Sequence, residues 1–288
     1  MTQDSRAGSV PALAGFSVLV TGGGSGIGLA CATSLAIDGA VVTICGRTEA
    51  TLAAAVAEIA AAAPGAGVNF VVADVTREDQ VAHAVAVADQ AAPGGLHAIV
   101  ASAGGSESIG PITHLDVDAW RRTLDLNLTG TMLALKHGGA ALVRNGGGSF
   151  VAVSSFASAT SHPWFGAYGP AKAGVNQLVR QSADELGPSG VRVNSVCPGL
   201  IRTDLVSFIT DGGPVLDSYL ANTPLGRVGE VEDVASLVRF LVGPESSWLT
   251  GQAINIDGGQ GLRRGPDLSS AIEPLFGADG LRGVVTPD

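Results

Sequence analysis

The sequence predicts an α/β fold in which one doubly wound, mostly parallel sheet of about seven strands is flanked by helices. Short apolar, β-prone runs alternate along the chain with longer stretches of helical spacing, as in strand–helix–strand units. The composition agrees, because 46% of the 288 residues are hydrophobic, only 15% are charged and 41 are glycine. A sheet covered on both faces needs such apolar strands and many tight turns.

The chain divides into one large domain and two terminal segments. Residues 1–14 are predicted to be an N-terminal tail, 15–261 a single domain, and 262–288 a C-terminal extension. Single α/β domains often reach this length. Within the domain, residues 204–223 have an irregular pattern with Gly-Gly-Pro between apolar clusters. Such a segment in a compact domain is usually a lid or disordered, and we interpret this one as a lid over a binding site.

The elements follow from the alternation of apolar runs and turn residues. The runs predicted as strands are 16–20, 41–45, 69–73, 96–101, 149–153, 191–196 and a last strand and turn within 250–259. The stretches predicted as helices are 29–38, 48–62, 76–91, 116–142, 165–186 and 231–242.

A glycine-rich loop lies between the first predicted strand and the first predicted helix. Residues 21–28 read Thr-Gly-Gly-Gly-Ser-Gly-Ile-Gly. Glycines let the backbone approach a pyrophosphate, and the helix start offers free N–H groups and a positive dipole end. A glycine loop alone is a weak signal, but strand, loop and helix together predict a dinucleotide site. Its candidate residues are Gly22, Gly24, Ser25, Gly26, Ile27 and Gly28.

A phenol, an ammonium and two hydroxyls occur close together in the second half of the chain. Tyr168 and Lys172 lie four residues apart, so on a helix they share one face. A nearby cation lowers the pKa of a phenol from ~10, which would suit general acid–base catalysis. The pair alone is more often an accident of a helix surface. Ser154 and Ser155, however, end a buried strand, where open α/β sheets bind ligands.

Together, the Tyr-x-x-x-Lys pair and the Thr-Gly-x-x-x-Gly-x-Gly spacing resemble the short-chain dehydrogenase/reductase family over about residues 16–261. The resemblance implies a single-domain Rossmann-like fold. The family's catalytic serine lies thirteen residues before its tyrosine, which selects Ser155. The implied catalytic tetrad is Asn127, Ser155, Tyr168 and Lys172, in which the asparagine supports a water that relays protons. On residues alone, Asn127 could instead kink its helix.

The resemblance also implies further contacts with the cofactor. Asp74 and Val75 would bracket the adenine, although Asp74 could equally cap the next helix. Residues 101–104 read Ala-Ser-Ala-Gly where relatives have Asn-Asn-Ala-Gly, which puts local rigidity in doubt. The remaining implied contacts are Ala103 and Gly104 near the ribose, Tyr168 and Lys172, and the turn residues Pro198, Gly199, Ile201 and Thr203 near the nicotinamide.

The end of the second predicted strand bears on the choice of cofactor. Relatives that prefer NAD have an acidic residue where this chain has Gly46, and Arg47 follows directly. An arginine there suits a 2′-phosphate. Arg47 could also be a solvated loop cation, and Ser25 stands where some NADP-preferring relatives carry a second basic residue. The prediction is NADP(H), with NAD(H) as the alternative.

The function implied by the family is reversible hydride transfer between a nicotinamide cofactor and a ketone or secondary alcohol. One alternative is reduction of a carbon–carbon double bond in an enoyl or dienoyl thioester. The other is a non-catalytic NADP(H)-binding scaffold. His162 and Trp164 lie between the predicted serine and tyrosine, where relatives have residues of the substrate pocket.

Charge and composition limit the other partners. A formal net charge of −10 argues against nucleic acid or an anionic membrane as main partner. No stretch approaches ~20 uninterrupted apolar residues, and the N-terminus lacks a secretory signal, so the expectation is a cytoplasmic protein. The three cysteines and five histidines show no metal spacing, so no metal is expected.

Relatives commonly form homotetramers through the two long helices, here 116–142 and 165–186, and the last strand. We therefore expect a homo-oligomer. Both helices carry small or apolar residues that we expect to extend beyond the face covered by the sheet. These residues are Ala134, Gly138, Ala141, Ala173, Val175 and Val179.

Overall fold

A computed structural model of the chain describes residues 12–263 and 265–285. Most of the predicted N-terminal tail, Arg264 and residues 286–288 lie outside the described residues. Seven strands form one sheet in which every pairing is parallel. They are β1 (Ser17–Thr21), β2 (Val41–Gly46), β3 (Val68–Val72), β4 (Leu96–Ala101), β5 (Gly148–Val153), β6 (Val191–Pro198) and β7 (Ala253–Ile256).

The strand order confirms the predicted fold class. It runs β3-β2-β1-β4-β5-β6-β7, so the chain moves outward from β1 in one direction and then returns to build the other half of the sheet. The direction reverses between β1 and β4. In doubly wound sheets a ligand crevice forms at this place, beyond the carboxyl ends of the strands.

The helices cover both faces of the sheet. The helices that link successive strands form crossover connections, because two neighbouring parallel strands cannot be joined by a tight turn. Their bounds are α1 (Gly26–Ile37), α2 (Glu49–Ala62), α3 (Glu78–Asp89), α4 (Val117–Leu124), α5 (Gly130–Arg144), α6 (Tyr168–Leu186), α7 (Ser207–Thr210), α8 (Pro214–Ala221), α9 (Val231–Val242) and α10 (Ser269–Leu281).

Two apolar cores result from the alternation of side chains along the strands. Val18 and Val20 of β1 face the core shared with α1, α2 and α9. Leu19, between them, faces the opposite core, which contains residues of α3, α5 and α6. All three side chains are fully buried. The sheet is therefore covered on both sides, as the apolar composition predicts.

The helix predicted at 116–142 is interrupted. A π-helical turn at Asp125–Thr129 separates α4 from α5 and contains Asn127. The amide Nδ2 of Asn127 donates to the Thr123 carbonyl at 2.8 Å, and the Thr131 hydroxyl donates to the Asn127 carbonyl at 2.7 Å. Side chains that bond to the helix backbone in this way alter its local winding.

Residues 204–223 are mostly helical, so the predicted irregular structure is wrong. A 3₁₀ turn at Asp204–Val206 leads into α7, and α8 follows after a short turn. Pro214 opens α8 at a position where its missing N–H costs nothing, and Gly213 precedes it with φ 99°. Pro and Gly here mark a helix start rather than a loop.

The C-terminal extension packs on the domain. Leu268 and Ile272 are buried, and α10 is broken at Gly277, which has φ 71°. The Phe276 ring lies against Gly110 and contacts His114 edge to face, with ring centroids 5.6 Å apart. The extension therefore lies on the connection between β4 and α4.

Of the six residues expected to extend the apolar surface of the long helices, only one does so, although Met132 and Val143 of α5 are exposed. Ala173 is exposed, but the other five residues are buried in the chain's own structure. These five residues pack on the sheet or on the neighbouring helix. Close packing of α5 on β4 also requires small residues at the contact. A Cβ on Gly138 would lie 1.8 Å from Cδ1 of Ile99.

None of the helices in the described ranges combines the length and apolar character needed to cross a lipid bilayer.

Candidate active site

The carboxyl ends of the strands open onto a cavity of about 720 Å³. The predicted catalytic and cofactor-binding residues meet around it from separate segments of the chain, and Asn127 is the one of these described residues that is not in its wall. Those in the wall are Gly22, Gly24, Ser25, Gly26, Ile27, Gly28, Arg47, Asp74, Val75, Ala103, Gly104, Ser155, Tyr168, Lys172, Pro198, Gly199, Ile201 and Thr203.

The glycine loop forms one end of the cavity. Gly22 and Gly26 have φ values of 66° and 53°, a region that favours glycine. A Cβ on Gly28 would lie 2.2 Å from the Gly22 carbonyl oxygen, and one on Gly22 would lie 2.8 Å from the Ala103 backbone. The loop thus lies against both α1 and the end of β4. We call residues 22–28, with the ends of β2 and β3, the glycine end.

The start of α1 is open toward a ligand. The helix begins at Gly26, three residues before the predicted start, and Ser25 at its N-cap makes no side-chain capping bond within the described structure. Free N–H groups and the helix dipole at such a terminus favour a phosphate. Because glycines keep the backbone bare at this point, the glycine end fits the pyrophosphate of a dinucleotide.

Threonine ties β4 to β1 where relatives use asparagine. The backbone N–H of Ser102 donates to the Thr21 carbonyl, and that of Ala103 donates to the Thr21 hydroxyl, both at 3.2 Å. Thr21 of β1 therefore makes the link between neighbouring strands that the family's asparagine would otherwise make.

Lys172 is a buried amine on α6, one turn after the start of the helix. Its Nζ donates to the Val153 carbonyl at 2.8 Å and lies 5.6 Å from the centroid of the Tyr168 ring. Burial lowers the pKa of Lys172 to about 8. The helix begins at Tyr168 rather than at Phe165, but the four-residue spacing still places both side chains at the cavity.

The phenol of Tyr168 has a raised pKa. Desolvation in the pocket raises it, and the hydroxyl of Ser155 opposes the shift without overcoming it. Burial sets the direction of this pKa and the Lys172 ammonium is bound to the Val153 carbonyl, so the expected lowering by Lys172 is not seen among the described groups. The group is therefore a phenol that keeps its proton at neutral pH.

The two serines after β5 have different environments. Ser154 is buried and its hydroxyl donates to the Lys172 carbonyl at 3.1 Å. The Ser155 oxygen accepts from the Ala157 N–H at 3.1 Å, and its hydroxyl belongs to the cavity wall beside Tyr168. Ser154 therefore anchors α6, and Ser155 is available to a ligand.

Asn127 lies behind the wall, fully buried. Its Nδ2 donates to the Gly105 carbonyl at 2.6 Å, and its Oδ1 accepts from the Gly105 N–H at 3.3 Å. A Cβ on Gly104 would lie 2.8 Å from Oδ1 of Asn127 and 3.2 Å from Nζ of Lys172. The bare backbone of Gly104 thus separates the cavity from a buried amide and amine.

Asp74 does not cap α3, which begins at Glu78. Its Oδ1 accepts from the N–H and the hydroxyl of Thr76 at 2.9 and 2.8 Å. Burial raises the pKa of Asp74, but these bonds and the charges of Arg47 and Arg77 outweigh it, so the pKa lies below its usual range. An ionised carboxylate therefore faces the glycine end.

Aromatic side chains form the opposite end of the cavity. Phe156, His162, Phe165, Phe208 and Tyr219 line it, and we call them the aromatic wall. The His162 ring lies 5.1 Å from Phe156, 5.2 Å from Phe165 and 6.5 Å from Tyr219, measured between ring centroids. Three of these residues follow β5 and two follow β6.

Trp164 is absent from the described cavity wall, contrary to the expectation for residues between Ser155 and Tyr168. It occupies the left-handed region with φ 67°, and its carbonyl accepts from the Gly110 N–H at 2.8 Å. Its backbone holds the loop against the β4–α4 connection, so Trp164 supports the wall instead of lining it.

The three cysteines are buried free thiols. Burial raises the pKa of Cys31 and Cys45 to about 12, so both are unreactive. Across residues 12–263 and 265–285, no group of three or more His, Cys, Asp or Glu side chains is arranged to hold a metal ion.

Comparison with known proteins places the chain in a family. A family model described as enoyl-(acyl carrier protein) reductase matches residues 22–260. The cis-4-hydroxycyclohexanecarboxylate dehydrogenase of Sinomonas cyclohexanicum is 39% identical over 245 residues, which are 84% of this chain and 94% of the relative. The chain belongs to the short-chain dehydrogenase/reductase family.

Two solved structures of this short-chain family superpose on the chain. A short-chain type dehydrogenase/reductase from Mycobacterium ulcerans is 53% identical, with a TM-score of 0.93 over 95% of this chain and 100% of that one. A 7α-hydroxysteroid dehydrogenase complexed with NADH and 7-oxo glycochenodeoxycholic acid is 28% identical, with a TM-score of 0.80 over 87% and 96%. The chain is thus an oxidoreductase of a family that uses nicotinamide cofactors.

Sequence reasoning located the glycine end of this short-chain dehydrogenase/reductase but missed most of the aromatic wall. Only His162 was singled out in advance. Phe208 and Tyr219 lie on α7 and α8, in the segment predicted to be irregular. Had Pro214 been interpreted as the start of a helix, Tyr219 would have been predicted about one and a half turns into it. That was the signal that could have indicated Tyr219 as a residue of the cavity wall.

Proposed function

We propose that the protein catalyses reversible hydride transfer between NADP(H) and a ketone or secondary alcohol. The observation that carries the proposal is the meeting of Ser155, Tyr168 and Lys172 at one cavity whose other end is a bare glycine loop. A hydroxyl, a neutral phenol and a buried amine together can hold a carbonyl oxygen and give it a proton.

The glycine end and its neighbours would hold the cofactor, which supplies or accepts the hydride when bound. The loop 22–28 would hold the pyrophosphate at the start of α1, and Asp74 and Val75 the adenine. Ala103, Gly104, Tyr168 and Lys172 would lie along the nicotinamide riboside, and Pro198, Gly199, Ile201 and Thr203 would contact the nicotinamide.

The chain's own groups would manage the proton. In the reductive direction Ser155 holds the carbonyl oxygen and Tyr168 donates a proton to it. The raised pKa of the phenol keeps that proton in place until it is needed. Lys172 carries the nearest buried amine and can stabilise the phenolate that remains. Asn127, buried beside Lys172, would support the relay that returns a proton from solvent.

NADP(H) is the cofactor that the end of β2 favours. The strand ends at Gly46, so no carboxylate there can accept a bond from a ribose 2′-hydroxyl. The next residue, Arg47, is exposed and lines the cavity. A guanidinium in this place suits a 2′-phosphate. NAD(H) is the alternative.

A substrate panel tests the proposed reaction. Ketones, secondary alcohols and an enoyl thioester would be assayed by nicotinamide absorbance with NADP(H) and with NAD(H). We expect turnover of ketones and alcohols, faster with NADP(H). Turnover of the thioester alone would support double-bond reduction, and tight cofactor binding without any turnover would support a scaffold.

We also propose a cytoplasmic homotetramer that assembles through α4–α5, α6 and β7. Strand β7 is an edge of the sheet, and Trp248, five residues before it, is 97% exposed. Buried free thiols suit a reducing compartment. Light scattering should report about four times the chain mass of 28.7 kDa, and an active monomer of that mass would contradict the assembly.

A further inference from the structure

Tyr219 is a buried phenol that the proposed reaction does not use. The chain has two tyrosines, and both line the cavity. Tyr219 is 5% exposed, and its hydroxyl makes no hydrogen bond with any described residue. The hydroxyl oxygen is not among the fully enclosed unpaired atoms of the described residues, so it is open to the cavity that Tyr219 lines. Polar atoms of buried side chains are nearly always paired, so this hydroxyl indicates a place for a ligand atom. Desolvation and the nearby Tyr168 raise the pKa of Tyr219, which keeps it a neutral donor.

His162 provides a neutral acceptor on the same wall. Its Nδ1 lies 2.9 Å from the Thr160 carbonyl, to which only a protonated nitrogen can donate. Desolvation lowers the pKa of His162, and this outweighs the opposite effect of the Thr160 bond, so the ring is uncharged. In the neutral ring the other nitrogen, Nε2, is an acceptor. The ring centroids of His162 and Tyr219 are 6.5 Å apart.

The aromatic wall offers no cation for an anionic substrate. Among the described residues in the cavity wall, Arg47 and Lys172 are the only ones of lysine or arginine. Arg47 belongs to the glycine end, and Lys172 is bound to the Val153 carbonyl. A carboxylate placed against the aromatic wall would lose its hydration without gaining a partner.

The C-terminal extension fixes the helix that carries Tyr219. Nη1 of Arg263 donates to the Ala221 carbonyl at 2.6 Å, and the Asp267 N–H donates to the Ser218 hydroxyl at 2.9 Å. Both acceptors lie on α8, within two residues of Tyr219. The phenol is therefore held in position by the chain on both sides of it.

We propose that the aromatic wall binds a substrate with a second, uncharged oxygen, and that Tyr219 is the specificity residue that donates a hydrogen bond to it. A hydroxyl is the group that satisfies both Tyr219 as donor and His162 as acceptor. The substrate class is thus an uncharged hydroxy ketone, or the corresponding diol, on a compact apolar frame. This inference rests on the proposed carbonyl reduction and specifies its substrate.

Three cyclohexanones of matched size test the inference. 4-Hydroxycyclohexanone carries the second oxygen, 4-methylcyclohexanone lacks it, and 4-oxocyclohexanecarboxylate carries a charge. We expect kcat/KM of the full-length enzyme for the hydroxy ketone to exceed those for the other two by about tenfold, the worth of one hydrogen bond that would otherwise be unpaired. In Tyr219→Phe the ratio of hydroxy to methyl ketone should fall below about threefold.

Asp217→Asn is the matched control, because Asp217 is an exposed residue of α8 outside the cavity wall, and it should keep the wild-type ratio. A wild-type ratio below about twofold, or an unchanged ratio in a folded Tyr219→Phe enzyme, overturns the inference. The ratio of kcat/KM for the hydroxy ketone to that for the methyl ketone, measured with the wild-type enzyme, tests the inference even if the Tyr219→Phe variant does not fold. If the wild type turns over none of the three ketones, calorimetric affinities for the same ketones with cofactor bound decide the inference by the same ratios, and the wider substrate panel decides the proposed reaction.

Discussion

The glycine end and the aromatic wall of the cavity are built in different ways. At the glycine end, close contacts are made by backbone atoms: Gly28 against Gly22, and Gly22 against Ala103. At the aromatic wall the contacts are between rings that come from separate segments, such as His162 before α6 and Tyr219 on α8. A backbone surface tolerates few changes, whereas a wall of side chains can be varied one residue at a time.

The two ends of the cavity are therefore suited to different parts of the bound ligands. Backbone N–H groups and glycines suit a ligand part that is constant, such as a pyrophosphate. Rings and single polar atoms suit a part that varies between substrates. Changes at the glycine end should therefore affect every substrate equally, and changes in the aromatic wall should separate one substrate from another.

The largest effect is expected at the phenol between the two ends. Tyr168→Phe removes the proposed proton donor, so turnover should fall by ~100-fold or more on every ketone. The affinity for NADPH, measured by fluorescence titration, should stay within about threefold. Turnover close to that of the wild type would show that Tyr168 is not the donor.

Arg47→Ala tests whether the glycine end selects its cofactor by charge. Loss of a charged hydrogen bond to a 2′-phosphate should weaken NADPH by ~1.5–3 kcal/mol and leave NADH little changed. The control is Arg77→Ala, an exposed arginine nearby that is outside the described cavity wall. Equal weakening of both cofactors would mean that Arg47 supports the fold rather than the phosphate.

Gly28→Ala tests the backbone packing of the same region. Its Cβ would lie 2.2 Å from a carbonyl oxygen, so the loop must shift, at a cost of ~1–3 kcal/mol in unfolding free energy. Affinity for either cofactor should fall with it. Gly187→Ala is the matched control, because Gly187 has φ −54° and no neighbouring atom within 4 Å of an added Cβ. A Gly28→Ala protein as stable as Gly187→Ala would refute the tight packing.

Arg263→Ala should have the smallest effect and act on the aromatic wall alone. Losing its bond to the Ala221 carbonyl frees the end of α8, so KM for a ketone should rise about two- to fivefold, the scale of one exposed hydrogen bond. Affinity for the cofactor should not change. A loss of cofactor affinity as large as the rise in KM would mean that the two ends are coupled.

Local patterns predicted the fold and the glycine end, because strands, helices and the glycine loop are short-range features of the sequence. Lys172 shows the limit of such reasoning. The sequence shows its four-residue spacing from Tyr168, but its hydrogen bond to the Val153 carbonyl depends on how α6 packs against β5. The burial that raises the Tyr168 pKa likewise comes from surrounding segments, and so does the placement of Tyr219.

The segments that sequence reasoning described least well are those whose structure depends on distant partners. Residues 204–223 fold into α7 and α8, and Arg263 and Asp267 bond to α8 from more than 40 residues away. Nothing in the local pattern of either segment indicates the other. The same holds for the five apolar residues of the long helices that are buried in the chain itself.

The position of β1 at the centre of the sheet has a consequence for how the protein folds. β1 pairs with β4, and Ser17 meets Leu96, so three strand-to-strand connections, through α1, α2 and α3, lie between the two paired strands. Such non-local pairing makes folding slow. Gly22 acquires the backbone of Ala103 as its neighbour only when β4 is in place. The glycine loop, although written in eight consecutive residues, therefore has its final surroundings only when a strand about 80 residues away is in place.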